Sequence, residues 1–278
     1  MMMSLPGTLM TKASMDDSVL CERRGTTAWL TLNRPQVHNA FDDTLIAALT
    51  DLLESVDADP SVHRVVLTGN GSCFSAGADL HWMRGMAGAS EQDNLADSLR
   101  LATLMRTLQF LSKPTVARVN GAAYGGGVGL VACCDIAVGV DTAKFALSEV
   151  KLGMVPAVIS PYVIDAIGLR EARRLFITGE VFEADVAARI GLLHVVVGGS
   201  ELDEAIERQL YLLAKAGPQA QREAKQLALR VGGSDVAQAE RIDAANAALI
   251  ARLRVSDEGQ HGLGAFLDKR APRWVAQP

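Results

Sequence analysis

The chain has 278 residues, 49% of them apolar and 21% charged, the profile of a soluble globular protein long enough to bury a core without disulfides. Its 27 Lys+Arg against 32 Asp+Glu leave a formal charge of −5, so the basic footprint of a nucleic-acid binder is missing. No run of 18 uninterrupted apolar residues occurs, so no membrane-spanning helix and no membrane partner are expected.

Residues 1–17 carry Lys12 but no apolar signal core, and read as a short flexible tail. Residues 18–24 and 27–32 read as the strands of a hairpin around Gly25. A helix is predicted over 42–57, where Leu45, Leu49, Leu52, Leu53 and Val56 share a face and Asp42 and Asp43 favour the first turn. Residues 64–68 form a short buried strand closed by Gly69-Asn70-Gly71-Ser72. The helical period returns over 94–111 and Pro114 stops it. Residues 115–120 are the next strand, a glycine-dense loop and an apolar helix follow, and 136–140 is strand again. Beyond about residue 160 strands nearly vanish, apart from 193–197, and helices are predicted at 171–178, 183–190, 201–216, 219–230, 235–253 and 262–269. This alternation argues for an α/β fold over 18–200, a sheet covered by helices, followed by a helical region over 201–278.

Cys21, Cys73, Cys133 and Cys134 include no C-x-x-C pair, and Cys133 and Cys134 sit in an apolar run. They read as small buried fillers in a reducing, cytoplasmic compartment. The five histidines show no ligand spacing, so no metal is expected.

Two segments share one design. Strand 64–68 runs into a loop containing Phe74-Ser75-Ala76-Gly77-Ala78-Asp79-Leu80, and strand 115–120 runs into Gly121-Ala122-Ala123-Tyr124-Gly125-Gly126-Gly127. Small residues after a strand and before a helix either permit tight turns or let a ligand approach free N–H groups. Two such groups from separate loops can form an oxyanion hole. A dinucleotide fingerprint is a weaker fit: Gly127-Val128-Gly129-Leu130-Val131-Ala132 matches G-x-G-x-x-A, but Gly127 stands too far from the strand end at Asn120. No serine is flanked by glycines as in a nucleophile elbow. Glu149 stands in the apolar segment Phe145-Ala146-Leu147-Ser148-Glu149-Val150-Lys151-Leu152-Gly153. It either pairs with Lys151 or an arginine, or burial tunes it for proton transfer near neutral pH.

These blocks, with Leu32-Asn33-Arg34-Pro35 and His38-Asn39-Ala40-Phe41 before them and Val155-Pro156 after, resemble the crotonase family of enoyl-CoA hydratases and isomerases. The resemblance implies a crotonase-like spiral of βαβ units with a C-terminal helical trimerisation region, assembled as a homotrimer or homohexamer. It implies acyl-CoA thioester substrates, with coenzyme A as part of the substrate and no separate cofactor. Ala78 and Gly126 fall where the family's backbone N–H groups bind the thioester oxygen. Glu149 falls at the second of the family's two catalytic glutamates, and Gly129 occupies the place of the first. Ala40, Ala76, Asp79 and Leu80 match positions along the CoA and acyl path. The segment Phe266-Leu267-Asp268-Lys269-Arg270 resembles the terminal helix that reaches CoA phosphates, often on a neighbouring subunit, with Lys269, Arg270 and Arg273 as its positive charges and a solvated terminal face as the alternative.

Within the family, the runs through Trp82-Met83, Cys133-Cys134-Asp135 and Ser160-Pro161-Tyr162 are similar to bacterial methylglutaconyl-CoA and isohexenylglutaconyl-CoA hydratases. That similarity implies a branched enoyl-CoA bearing a second carboxylate, from leucine or acyclic terpenoid breakdown. It also raises the expectation that Gly129 leaves room in which this carboxylate positions water. Tyr162, Trp82 and Met83 are candidates for the acyl pocket or for core packing. A single glutamate equally resembles the family's Δ3,Δ2-enoyl-CoA isomerases, and a non-catalytic homologue is the third class considered.

Overall fold

A computed structural model describes residues 17–275. The reading of a flexible N-terminal tail therefore falls almost wholly outside the described residues. The predicted hairpin is present: β1 (Val19–Arg24) pairs antiparallel with β2 (Thr27–Leu32). From β2 the sheet grows by parallel addition of β3 (Arg64–Gly69), β5 (Thr115–Val119), β7 (Ile136–Val140) and β10 (Val195–Val197), in the order β1-β2-β3-β5-β7-β10. Parallel strands need helical crossovers that cover them, which is why their centres are continuous apolar runs. Val65, Val66, Leu67, Val116, Ala117, Ala137 and Val138 are accordingly buried.

The first crossover is α1 (Asp43–Ala58), whose N-cap Asp42 accepts a hydrogen bond from Leu45 N, so the helix begins one residue later than predicted. The second is α3 (Glu91–Gln109), started by Ser90, whose hydroxyl accepts from Asp93 N three residues before the predicted onset. Its buried Asn94 and Asp97 broke the apolar pattern there.

The main departure is a second sheet. β4 (Cys73–Ser75), β6 (Ala122–Tyr124), β8 (Lys144–Ala146) and β9 (Val181–Glu183) pair in that order. Two of these strands lie inside segments read from sequence as loops. Each of β3, β5 and β7 leaves the large sheet, turns, and enters the small one, giving successive turns of a spiral. Strands of three residues are too short to show a period of two, and their pairing partners are distant in sequence.

Two helices follow second-sheet strands directly, α2 (Leu80–Ala87) after β4 and α4 (Gly126–Cys133) after β6. Helix α5 (Ser160–Thr178) starts well before the predicted 171, with Pro161 in its first turn and a break at Gly168 (φ 76°, ψ 154°) that split its period. After α6 (Ala184–Ile190), the helices α7 (Leu202–Ala214), α8 (Pro218–Val231), α9 (Val236–Val255) and α10 (Asp257–Leu267) complete the described chain. Helix α9 lies along α3, tied by Arg106–Asp243 and Arg254–Asp97 ion pairs. Helix α10 reaches α2 through Gln260 Nε2, which donates to Ala87 O at 2.9 Å. Its glycine Gly262 sits so close to Leu152 O that a Cβ would collide with that carbonyl.

Candidate active site

Both small-residue loops end at one place. After β4, Phe41 N donates to Gly77 O (2.6 Å) and Asp79 N donates to Phe41 O (2.8 Å). This clamp fixes the peptide on each side of Ala78, whose own N–H has no hydrogen-bond partner among the described residues. After β6, Gly125 N donates to Ala146 O (2.9 Å), and Gly125 adopts φ 50°, ψ −118°, a conformation suited to glycine. Helix α4 starts at the next residue, so Gly126 N–H is one of the orphan donors of a helix N-terminus, again without a partner among the described residues. A Cβ at Gly126 would lie 2.6 Å from Phe41 Cε2, and one at Gly77 would lie 2.8 Å from Tyr124 O. The loops touch, and only hydrogen side chains permit it.

Ala78 and Gly126 line a cleft open to solvent on one side, and Glu149 lines it too. Glu149 opens a 3₁₀ turn (Glu149–Leu152) just after β8, and its Oε1 lies 3.1 Å from where a Gly125 Cβ would stand. Its Oε2 is buried and has no hydrogen-bond partner among the described residues. Neither Lys151 nor an arginine pairs with it, and the Lys151 stem packs instead beside Gly179. Burial without a compensating charge raises the carboxyl pKa from 4.5 to about 7. The rest of the lining is mostly apolar, with Ser148 and Arg254 as the other polar side chains besides Tyr124 and Trp82.

The enoyl-CoA hydratase/isomerase family model matches residues 22–277. An Escherichia coli protein named 2,3-dehydroadipyl-CoA hydratase is 33% identical over 264 residues, covering 91% of this chain and 97% of that protein. The crystal structure of an enoyl-CoA hydratase from Shewanella pealeana is 41% identical, covers 92% of this chain and 96% of its own, and superposes with a TM-score of 0.76. One from Mycobacterium avium is 34% identical, covers 94% and 100%, and gives 0.82. The chain belongs to the enoyl-CoA hydratase/isomerase family. It is an enzyme of the crotonase type, as the resemblance implied.

In this crotonase the other sequence-expected positions separate into cleft and scaffold. Ala76 lines the cleft, with Trp82 and Met83. Ala40 is buried outside the lining, and its carbonyl accepts from Arg34 Nη1. Asp79 is the N-cap of α2, accepting from His81 N (2.8 Å) and Trp82 N (3.3 Å), and pairs with Arg34 at 3.0 Å. Arg34 also pairs with Asp42, the cap of α1, at 2.8 Å. Leu80 is exposed on α2 away from the lining, and Lys269 is exposed beyond α10.

Two expectations are corrected. Gly129 leaves no space: a Cβ there would meet Ile159 Cβ at 2.9 Å and Met105 Sδ at 3.2 Å, so the room for a glutamate is filled by Ile159. Tyr162 is a core residue, 4% exposed and outside the lining; burial pushes its phenol pKa up. The cysteines Cys73, Cys133 and Cys134 are buried with raised thiol pKa values, as fillers are, but Cys21 is exposed on the edge strand β1, contrary to the expectation.

Sequence reasoning missed most of one wall of the cleft, Phe266 aside. Leu101 comes from α3, Ile250 and Arg254 from α9, and Leu263 and Phe266 from α10. No local pattern marks Arg254, because its role depends on α9 folding back along α3.

Proposed function

We propose that this crotonase adds water across the 2,3 double bond of an enoyl-CoA whose acyl group is a branched glutaconyl type carrying a second carboxylate. Ala78 and Gly126 N–H groups hold the thioester oxygen, and their partial charges favour the enolate over the neutral ester. Glu149 accepts a proton from water as its oxygen bonds to C3 and the π electrons move onto the thioester oxygen. The enolate then collapses and takes that proton from Glu149 at C2, which returns the carboxylate and completes hydration.

The observation that carries this reading is a buried, unpaired carboxylate in the same cleft as two partnerless N–H groups from different loops. A pKa of about 7 suits a group that must accept and return a proton in one turnover. The relative named for 2,3-dehydroadipyl-CoA supports a substrate with a distal carboxylate, since that name denotes a dicarboxylic monothioester.

One observation favours a second reading. Glu149 is the only carboxylate lining the cleft among the described residues, which suits isomerisation of a 3-enoyl-CoA by one group moving a proton from C2 to C4. A panel of CoA esters separates the two. Hydration removes the conjugated enoyl absorbance of a 2-enoyl ester, whereas isomerisation creates it from a 3-enoyl ester. Loss of absorbance with glutaconyl-type esters is expected; turnover of 3-enoyl esters alone overturns the hydratase reading.

A further inference from the structure

The cleft has a second polar end that hydration does not use. Arg254 sits in the last turn of α9, its side chain 13% exposed, and lines the cleft. Its Nη1 donates to Asn94 Oδ1 and to Asp97 Oδ2, both at 3.0 Å. Asn94 is itself held, its amide nitrogen donating to the carbonyls of Met86, Ala89 and Ser90, so the oxygen facing Arg254 is fixed. The guanidinium is thus locked by one nitrogen, while Nη2 and Nε have no hydrogen-bond partner among the described residues.

Arg254 shares its carboxylate partner with an exposed arginine outside the cleft lining. The buried Asp97 carboxylate is shared between Arg254 and Arg100, the latter at 3.3 Å, so two guanidinium groups face one carboxylate. Beside them stands Trp82, its ring centroid 5.5 Å from Arg254 Cζ and its Nε1 buried without a partner. A buried N–H left unsatisfied is costly, and natural cores rarely tolerate one without a ligand or water to accept it. Two donor groups, one of them on a guanidinium, therefore converge on a cleft whose remaining wall is mostly apolar.

We infer that Arg254 and Trp82 form the subsite that receives the distal carboxylate of the acyl group. This rests on the hydratase reading and adds the residues that select the substrate class. The planar guanidinium offers Nη2 and Nε as a fork to the carboxylate, and the indole N–H supplies a third bond. An acyl chain ending in a methyl group leaves all three donors dry, and a site built around donors rejects such analogues strongly.

The test compares kcat/KM for hydration of glutaconyl-CoA with that of crotonyl-CoA, which lacks only the carboxylate. Wild type is expected to prefer glutaconyl-CoA. Arg254→Gln should reduce that preference about 10- to 100-fold, and Arg254→Lys should restore part of it. Because Arg254 also braces Asn94 and Asp97, Trp82→Phe provides a second probe that keeps an aromatic ring and removes the N–H together with the rest of the pyrrole portion; a reduction in the preference of about 2- to 10-fold is expected. A preference unchanged in both Arg254→Gln and Trp82→Phe overturns the subsite. Should wild type hydrate neither ester, the hydratase reading fails alone. The subsite is then read from calorimetric affinities of glutaconyl-CoA and crotonyl-CoA for wild type and Arg254→Gln, and equal affinity losses for both ligands overturn it.

Discussion

At the scale of single residues, Glu149 concentrates the chemistry. Only its carboxylate form accepts a proton from water, so log kcat/KM for hydration should rise with unit slope as pH approaches about 7 and level off above. Glu149→Gln keeps the shape and removes the proton carrier, and is expected to lower kcat by about 10²–10⁴-fold with little change in affinity for the CoA ester. Stability should move the opposite way. The folded-state pKa lies above the ordinary 4.5, so the native state favours the protonated acid. Its contribution is fully present below pH 4.5 and is lost as pH rises through about 7. Glu149→Gln should therefore match wild type near pH 4.5 and exceed it by about 1–3 kcal/mol at pH 8. Urea unfolding at the two pH values checks this, and a variant less stable at pH 8 contradicts the burial that raises the pKa.

At the scale of elements, the two helices that begin at the site are held by different means. Helix α2 depends on Asp79, which caps its first turn and neutralises Arg34. Asp79→Ala should cost about 2–4 kcal/mol, from a lost cap plus a half-buried guanidinium deprived of one partner. Activity should fall as well, since Ala78 precedes this cap directly. Helix α4 depends on close packing instead. Gly129→Glu restores a second acid by type but drives it into Ile159 and Met105, so destabilisation by about 1–3 kcal/mol from overpacking is expected, with no gain in hydration rate. Denaturant midpoints and initial rates decide both cases. These elements also show how far the sequence was legible. The long periodic segments gave α1, α3 and the parallel strands within a few residues. The glycines and alanines flanking Ala78 and Gly126 marked the site because close backbone approach requires those residue types. The strands β4, β6, β8 and β9 were illegible, since three residues show no period and their partners are remote. Gly129 was misread for a related reason: a glycine announces that a side chain is absent, and only Ile159 shows what fills the place.

At the scale of the whole molecule, the C-terminal helices divide into two sets. Helices α9 and α10 close the cleft with Ile250, Arg254, Leu263 and Phe266. Helix α8 is anchored to the core by the Lys225–Asp135 pair at 2.9 Å, yet none of its residues is buried. Leu227 and Val231 are exposed on it, as are Tyr211 and Leu212 on α7 and Leu169 and Ile177 on α5. An amphipathic helix that buries no residue and leaves Leu227 and Val231 exposed lacks the partner that normally stabilises its apolar side. The family resemblance implies that other copies of the chain supply that partner. Light scattering should then give three or six times the 29.5 kDa of one chain. Replacing Leu212 and Leu227 together by Asp should shift the mass toward a single copy, because each buried charge costs more than the apolar contact it replaces. A single-copy mass for the wild type contradicts the assembly. The same variant tests where Lys269 works: it is exposed and outside its own chain's cleft lining. If it reaches the CoA phosphates of a neighbouring copy, dissociation should raise KM for CoA esters. Shortened pantetheine esters, which lack those phosphates, should show no such increase.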